Sequence, residues 1–219
     1  MIAPLDIMRL FTAILLPDDV RNRLAGLARS WRENWNEELL GMSGREYPPA
    51  KWVSAENLHV TLKFFGEVSQ TDLKPLNEAL ASVRSEKVAH MRADRMECLP
   101  ARGPVRIISA GLSGDIPEMS ALFERIEAAS ARLGFAREAR PYLPHVTLAR
   151  LRDPLPRHTR QRLAAAAEGH LPTSLFEIRE FVLMQSTLGA GSPRYALAAR
   201  FQLDRKTRNM TEHRGFLSR

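Results

Sequence analysis

Residues 51–68 read KWVSAENLHVTLKFFGEV and residues 140–153 read RPYLPHVTLARLRD. The tetrad His59-Val60-Thr61-Leu62 returns unchanged as His145-Val146-Thr147-Leu148, 86 positions further on. Each copy sits in a short apolar, β-branched run, which predicts a strand. Successive side chains of a strand point to opposite faces. Strict alternation therefore puts His59, Thr61 and Lys63 on one face and Leu58, Val60, Leu62 and Phe64 on the other. In the second copy His145, Thr147 and Ala149 oppose Val146 and Leu148. Arg150 then falls on the apolar side unless a bulge intervenes or the strand ends there, as Pro154 soon afterwards suggests. Each copy buries an aliphatic face and presents an imidazole beside a hydroxyl. Two such strands in related lobes would aim both pairs into one cleft.

The flanking chain supports an α+β reading. Met8–Leu15 is a buried strand, and from Pro17 the period changes. Val20, Leu24, Leu27, Trp31 and Trp35 recur every three or four residues, with Asp18 and Asp19 at the helix start. Residues 41–49 carry glycine, serine and two adjacent prolines and read as a loop. Leu73, Leu76, Leu80 and Val83 mark a second helix beginning near Ser69 or Thr71, with Pro75 in its first turn. Strands are expected over Lys87–Leu99 and Val105–Leu112. A helix follows Asp115, with Met119, Leu122, Ile126, Ala129 and Leu133 on one face and Gly134 as its stop. Pro144–Arg150 is a strand and Arg157–Glu168 a short helix. Phe176–Gln185 and Tyr195–Leu203 close the pattern as two strands around a turn at Gly189, Gly191 and Pro193.

A chain of 219 residues makes one domain or two small lobes sharing a core. With 44% hydrophobic and 26% charged residues and a mean hydropathy of -0.27, fibrous and broadly disordered classes are excluded. A net charge of +7 favours anionic or phosphorylated partners. The single cysteine, Cys98, closes no intrachain disulfide, and no Cys/His spacing offers a zinc site, so no metal is expected. A reducing, cytoplasmic setting follows as an expectation. The apolar run Ile7–Leu16 is too short to span a membrane and contains Arg9.

The chemistry that suits two imidazole–hydroxyl pairs is phosphoryl transfer by acid–base catalysis. A neutral imidazole takes a proton from the attacking group, and a protonated one gives a proton to the leaving oxygen. Histidine, with an unperturbed pKa of ~6.5, reaches both states near neutrality. Each threonine can donate to a non-bridging phosphate oxygen, where charge gathers.

These two motifs in their flanking contexts resemble the two-histidine phosphoesterase superfamily, in particular its bacterial LigT-like branch, the RNA 2′,3′-cyclic phosphodiesterases. The opening MRLFTAILLPDDV (8–20) and the closing MQSTLGAGSPRYALAARFQL (184–203) are similar to that family's ends. The resemblance implies a bilobal fold with two antiparallel sheets facing a central cleft and helices outside. It implies a single domain over 8–203, with 1–7 as an extension and the basic 204–219 as a mobile tail. It implies that His59 and His145 are catalytic, with Thr61, Thr147 and Arg150 on the phosphate. Opening a 2′,3′-cyclic phosphate to a 2′-phosphate would use His59 as general acid towards O3′ and His145 as general base for water, without metal or other cofactor. The expected partner is RNA ending in a 2′,3′-cyclic phosphate, tRNA fragments included, with the protein a monomer needing no protein or membrane partner. Reverse 2′-5′ ligation uses the same groups. The alternatives are a phosphodiesterase of small cyclic nucleotides and an idle RNA-end-binding protein.

Other residues carry less. Trp52 and Tyr47 could stack on a base but read first as packing, and Ser186 and Tyr195 are candidate cleft residues. His90, His158, His170 and His213 read as surface. Arg102 and Arg106 read as a solvated basic edge. Met8, Met42, Met91, Met96 and Met119 read as packing or loop residues.

Overall fold

The computed structural model describes residues 7–34, 50–85, 87–155, 159–167, 171, 173–187 and 193–203. In chain order these form β1 (Ile7–Leu15), α1 (Asp18–Asn34), β2 (Ala50–Trp52), a 3-10 turn (Ala55–Asn57), β3 (His59–Ser69), α2 (Gln70–Ala81), β4 (Ala89–Leu99) and β5 (Val105–Gly114). Then follow α3 (Ile116–Ala131), β6 (His145–Leu155), α4 (Thr159–Ala167), β7 (Phe176–Ile178), β8 (Glu180–Thr187) and β9 (Arg194–Gln202).

The helices form where pattern and caps coincide. In α1 the acidic first turn favours the positive end of the helix dipole, and Val20, Leu24, Leu27, Ala28 and Trp31 form its buried stripe. Ser69 caps α2, its Oγ accepting from Asp72 N at 3.2 Å. Pro75 lies in the second turn of α2, not the first. In α3 the buried face is Met119, Leu122, Phe123 and Ile126, and Gly134 follows with a positive φ of 89° that a side chain would strain.

All strand pairings are antiparallel, in the order β7-β4-β5-β6-β3-β1-β8-β9, with β2 added to β6. The two motif strands, β3 and β6, lie side by side at the centre yet share a single residue pair, Val60 with Val146. That pair joins two half-sheets, β3-β1-β8-β9 and β6-β5-β4-β7, so the two expected antiparallel sheets are continuous at one seam. Past the seam β2 takes over the edge of β6, pairing Ala50, Lys51 and Trp52 with Leu151, Arg150 and Ala149. The helices and the apolar faces of both halves share one core, while Phe11, Ala13 and Val182 form a smaller cluster with Met184 and Tyr195.

Two expectations need correction. The run 176–185 is not one strand: it breaks at Arg179, after which β8 lies across the sheet from β7. Phe176 and Ile178 pair with β4 in one half, whereas Glu180–Thr187 pairs with β1 and β9 in the other. The strand after Pro144 does not end near Arg150 but continues through Pro154 to Leu155. The short strand β2 lacks the length to show periodicity. The extension up to residue 6, the loop at 41–49, the turn at Gly189 and Gly191, and the tail 204–219 lie outside the described residues. So do Trp35, Met42, Tyr47, His158, His170 and His213.

Candidate active site

The two tetrads build the same local structure. From His59 and from His145 the first seven residues show an identical alternation of buried and accessible positions. In β1, Thr12 pairs with Lys63 and Ala13 with Thr61, so Leu62 is an extra residue. In β5, Ile108 pairs with Ala149 and Ser109 with Thr147, so Leu148 is the extra residue. Each tetrad thus ends on a β-bulge, which reverses the facing of the residues that follow directly. Lys63 and Ala149 turn inward, 4% and 0% exposed. Phe64, 64% exposed, and Arg150 turn into the cleft with the motif residues. The bulge is what brings Arg150 to the cleft, and it overturns the placement of Lys63 beside His59 and of Ala149 beside His145.

Both imidazoles are anchored alike. His59 Nδ1 lies 2.7 Å from Asn57 O and His145 Nδ1 lies 2.8 Å from Leu143 O. A carbonyl oxygen only accepts, so each Nδ1 carries hydrogen and each neutral ring keeps the lone pair on Nε2. His59 Nε2 stands 3.1 Å from Thr61 Oγ1. Asn57 is held in turn, its Nδ2 donating to Pro193 O at 3.0 Å.

The surroundings differ. His59 sits against Phe11, ring centroids 5.0 Å apart, and edge-on to Tyr195 at 5.4 Å. Burial lowers its pKa to about 4; the Asn57 carbonyl opposes that shift, and the charges of Arg150 and His145 add to it. His59 is therefore a neutral imidazole at neutral pH.

An open cleft of about 720 Å³, its mouth included, is lined by His59, Thr61, Phe64, Thr147, Arg150 and Tyr195 together with residues of the 51–57 segment. His145 shares the Thr147 face of β6 and is near enough for its charge to act on His59. Trp52 lines the cleft, as does Tyr195, whose strand partner is Ser186. Sequence periodicity missed Lys51, Asn57 and Phe64 as cleft residues. The signal for Phe64 was its place two beyond the tetrad, which matches Arg150.

Elsewhere, His90 is not a lone surface residue. Its Nδ1 and Nε2 lie 3.3 Å from Asp115 Oδ2 and 3.3 Å from Glu177 Oε1, tying β4 to β7 and to the cap of α3. Cys98 is buried, and burial raises its thiol pKa to about 11, which leaves no thiolate for chemistry. Arg102 and Arg106 are exposed, while Met91 and Met119 are core and Met8 and Met96 pack against it. No described helix is long and apolar enough to cross a membrane.

The model of the 2′-5′ RNA ligase superfamily matches residues 16–190. An RNA 2′,3′-cyclic phosphodiesterase of Aeropyrum pernix is 34% identical over 104 residues, covering 48% of this chain and 58% of that protein. The protein of the same name from Methanocaldococcus jannaschii is 28% identical over 190 residues, covering 86% and 96%. Among solved structures, Escherichia coli LigT complexed with 3′-AMP superposes with a TM-score of 0.66 at 27% identity, over 90% of this chain and 99% of that one. With a match over most of its length and a paired H-x-T cleft of this geometry, the chain belongs to the 2′-5′ RNA ligase superfamily.

Proposed function

We propose that this protein opens 2′,3′-cyclic phosphate ends of RNA to 2′-phosphate ends, using two histidines and no metal. The observation that carries the reading is the duplicated anchoring: two imidazoles each hold Nδ1–H on the carbonyl two residues back. His59 lines one cleft with Thr61, Thr147 and Arg150, and His145 is near enough for its charge to act on His59. The relatives' names supply the substrate class.

In this mechanism water attacks phosphorus and His145 Nε2 takes its proton. The P–O3′ bond breaks, and the proton of His59 Nε2 goes to O3′. Thr61 and Thr147 donate to non-bridging oxygens, and Arg150 offsets the charge that develops there. For His59 to act as the acid, its imidazolium must be stabilised on binding. The substrate phosphate does this, because its negative charge opposes the repulsion from Arg150 and His145. Reversal of the same steps would give 2′-5′ ligation. The protein acts as a monomer in the cytoplasm, on free RNA ends such as tRNA fragments, through the single bilobal domain 8–203.

The test is incubation with a short RNA ending in a 2′,3′-cyclic phosphate in EDTA, beside His59→Ala and His145→Ala. Conversion to the 2′-phosphate, lost in both variants, supports the reading. Turnover of nucleoside 2′,3′-cyclic phosphates alone would move the substrate to small cyclic nucleotides. Binding of the RNA end without any turnover would make the protein an RNA-end-binding module.

A further inference from the structure

The chemistry requires His59 and His145 to be held across one phosphorus atom, where a displacement of ~1 Å can cost a hundredfold in rate. Yet the half-sheets that carry them share one backbone pair, Val60 with Val146. Other groups must set their relative position, and the structure shows which.

Lys63, turned inward by the bulge, is buried with its Nζ 2.7 Å from Glu127 Oε1 of α3 and 2.7 Å from Ala136 O. The other oxygen of Glu127 accepts from Glu138 N at 3.1 Å. One residue before the bulge, Thr61 O accepts from Tyr142 Oη at 3.3 Å, and the ring of Tyr142 stacks on Phe123 of α3 with centroids 4.5 Å apart. Thr12 Oγ1 accepts from Lys63 N at 3.1 Å, fixing the bulge against β1. The bonds to Ala136 O and Glu138 N and the two contacts of Tyr142 run from the first motif strand or α3 to residues 136–142, the stretch that leads directly into His145.

Burying two charges is a poor route to stability, since well-packed apolar residues of similar volume commonly do as well or better. Directional bonds to particular carbonyl and amide groups do something an apolar pair cannot: they fix one register. We propose that Lys63 and Glu127, with Tyr142 as the second tie, form a positioning clamp that locks the approach to His145 against the strand bearing His59. None of the three touches the reacting atoms. The inference rests on the two-histidine reading above.

The test is the double variant Lys63→Met/Glu127→Leu in the full chain, which removes both charges at similar volume. The clamp predicts a kcat at least tenfold lower with KM within about twofold, and no fall in Tm. It also predicts amide hydrogen exchange at least tenfold faster over 136–145 and unchanged over α1 and β8. Wild-type kcat in the double variant, or unchanged protection over 136–145, overturns the proposal. If the double variant does not fold, Tyr142→Phe, which keeps the stack on Phe123, carries the test: the clamp requires a lower kcat at constant KM and faster exchange over 136–145. If the wild-type protein turns over no RNA 2′,3′-cyclic phosphate, the functional reading fails, and the exchange data still decide whether the clamp exists.

Discussion

The half-site around His59 and the half-site around His145 share a backbone and differ in chemistry. Both tetrads carry the same bulge, the same pattern of burial and the same Nδ1 anchor. On the His59 side, however, the imidazole packs against Phe11 and Tyr195, and Phe64 lines the cleft beside them. On the His145 side the cleft residues are Thr147 and Arg150. Gly111, the strand partner of His145, is where Glu97 folds over the sheet: an added Cβ would come within 2.5 Å of the Glu97 carboxyl. Arg95 Nε in turn holds that carboxyl at 2.8 Å. A duplicated scaffold thus sets one imidazole in an aromatic wall whose burial lowers its pKa, and places the arginine of the cleft on the other motif strand.

The comparison breaks most sharply at the histidines. His59→Ala and His145→Ala should each cost about 10²–10⁴-fold in kcat/KM, the usual worth of general acid–base help. An RNA analogue with sulfur as the 3′ leaving atom needs no acid, so it should restore turnover to His59→Ala and not to His145→Ala. Rescue of the opposite variant would exchange the roles.

Arg150→Met comes next, with an expected loss of roughly 10–100-fold, because a hydrogen bond to a charged group contributes ~1.5–3 kcal/mol. Phe64→Leu, at the matching position of the other strand, should leave the phosphate step nearly unchanged. Equal losses would deny the asymmetry. Thr61→Val and Thr147→Val should each reduce kcat by about 2–12-fold if only one neutral hydrogen bond of ~0.5–1.5 kcal/mol is lost.

The smallest effects concern protons. In the folded protein burial holds His59 near a pKa of about 4, against 6.5 for the free side chain. The unfolded chain therefore binds more protons between those values, and this histidine's contribution to stability rises with pH from about 4 to 6.5 and is lost as pH falls through that window. Comparing urea unfolding of the parent and His59→Gln across that range reads the effect, whose pH slope should be weaker in the variant. Arg150→Met removes a cation that opposes the imidazolium, so the His59 pKa should move up in an NMR titration, and inorganic phosphate should move it the same way. No upward shift with phosphate would leave His59 unsuited to be the acid.

Much of this was legible in the chain itself. The repeated HVTL tetrad marked both strands and both histidines, because a period of two with aliphatic residues on one side has one way to bury itself. The stripe of α1 was equally plain, since it is set by residues within a few positions of one another. The start of α2, by contrast, stayed open between Ser69 and Thr71 until the hydrogen bond from Asp72 N chose Ser69. What was misread depended on partners distant in sequence. A strict period of two put Lys63 in the cleft and Phe64 in the core, and the register against β1 reversed both. The break at Arg179 went unseen because each side of it reads equally well as strand, and only the pairing partners send them to opposite halves of the sheet. His90 passed for a surface residue because its carboxylate partners, Asp115 and Glu177, are 25 and 87 positions away.

An α+β chain with a duplicated imidazole–hydroxyl motif and a basic surplus can be read from residue order alone, because composition and short-range periodicity are local properties. Packing of distant segments decided that Arg150 and Phe64 reach the cleft and that Lys63 is buried against Glu127. It also decided that His59 is held neutral by its aromatic wall and the charges across the seam. Bulges, desolvation and charge–charge repulsion come from residues brought together by the fold, and nothing in the spacing of either motif contains them.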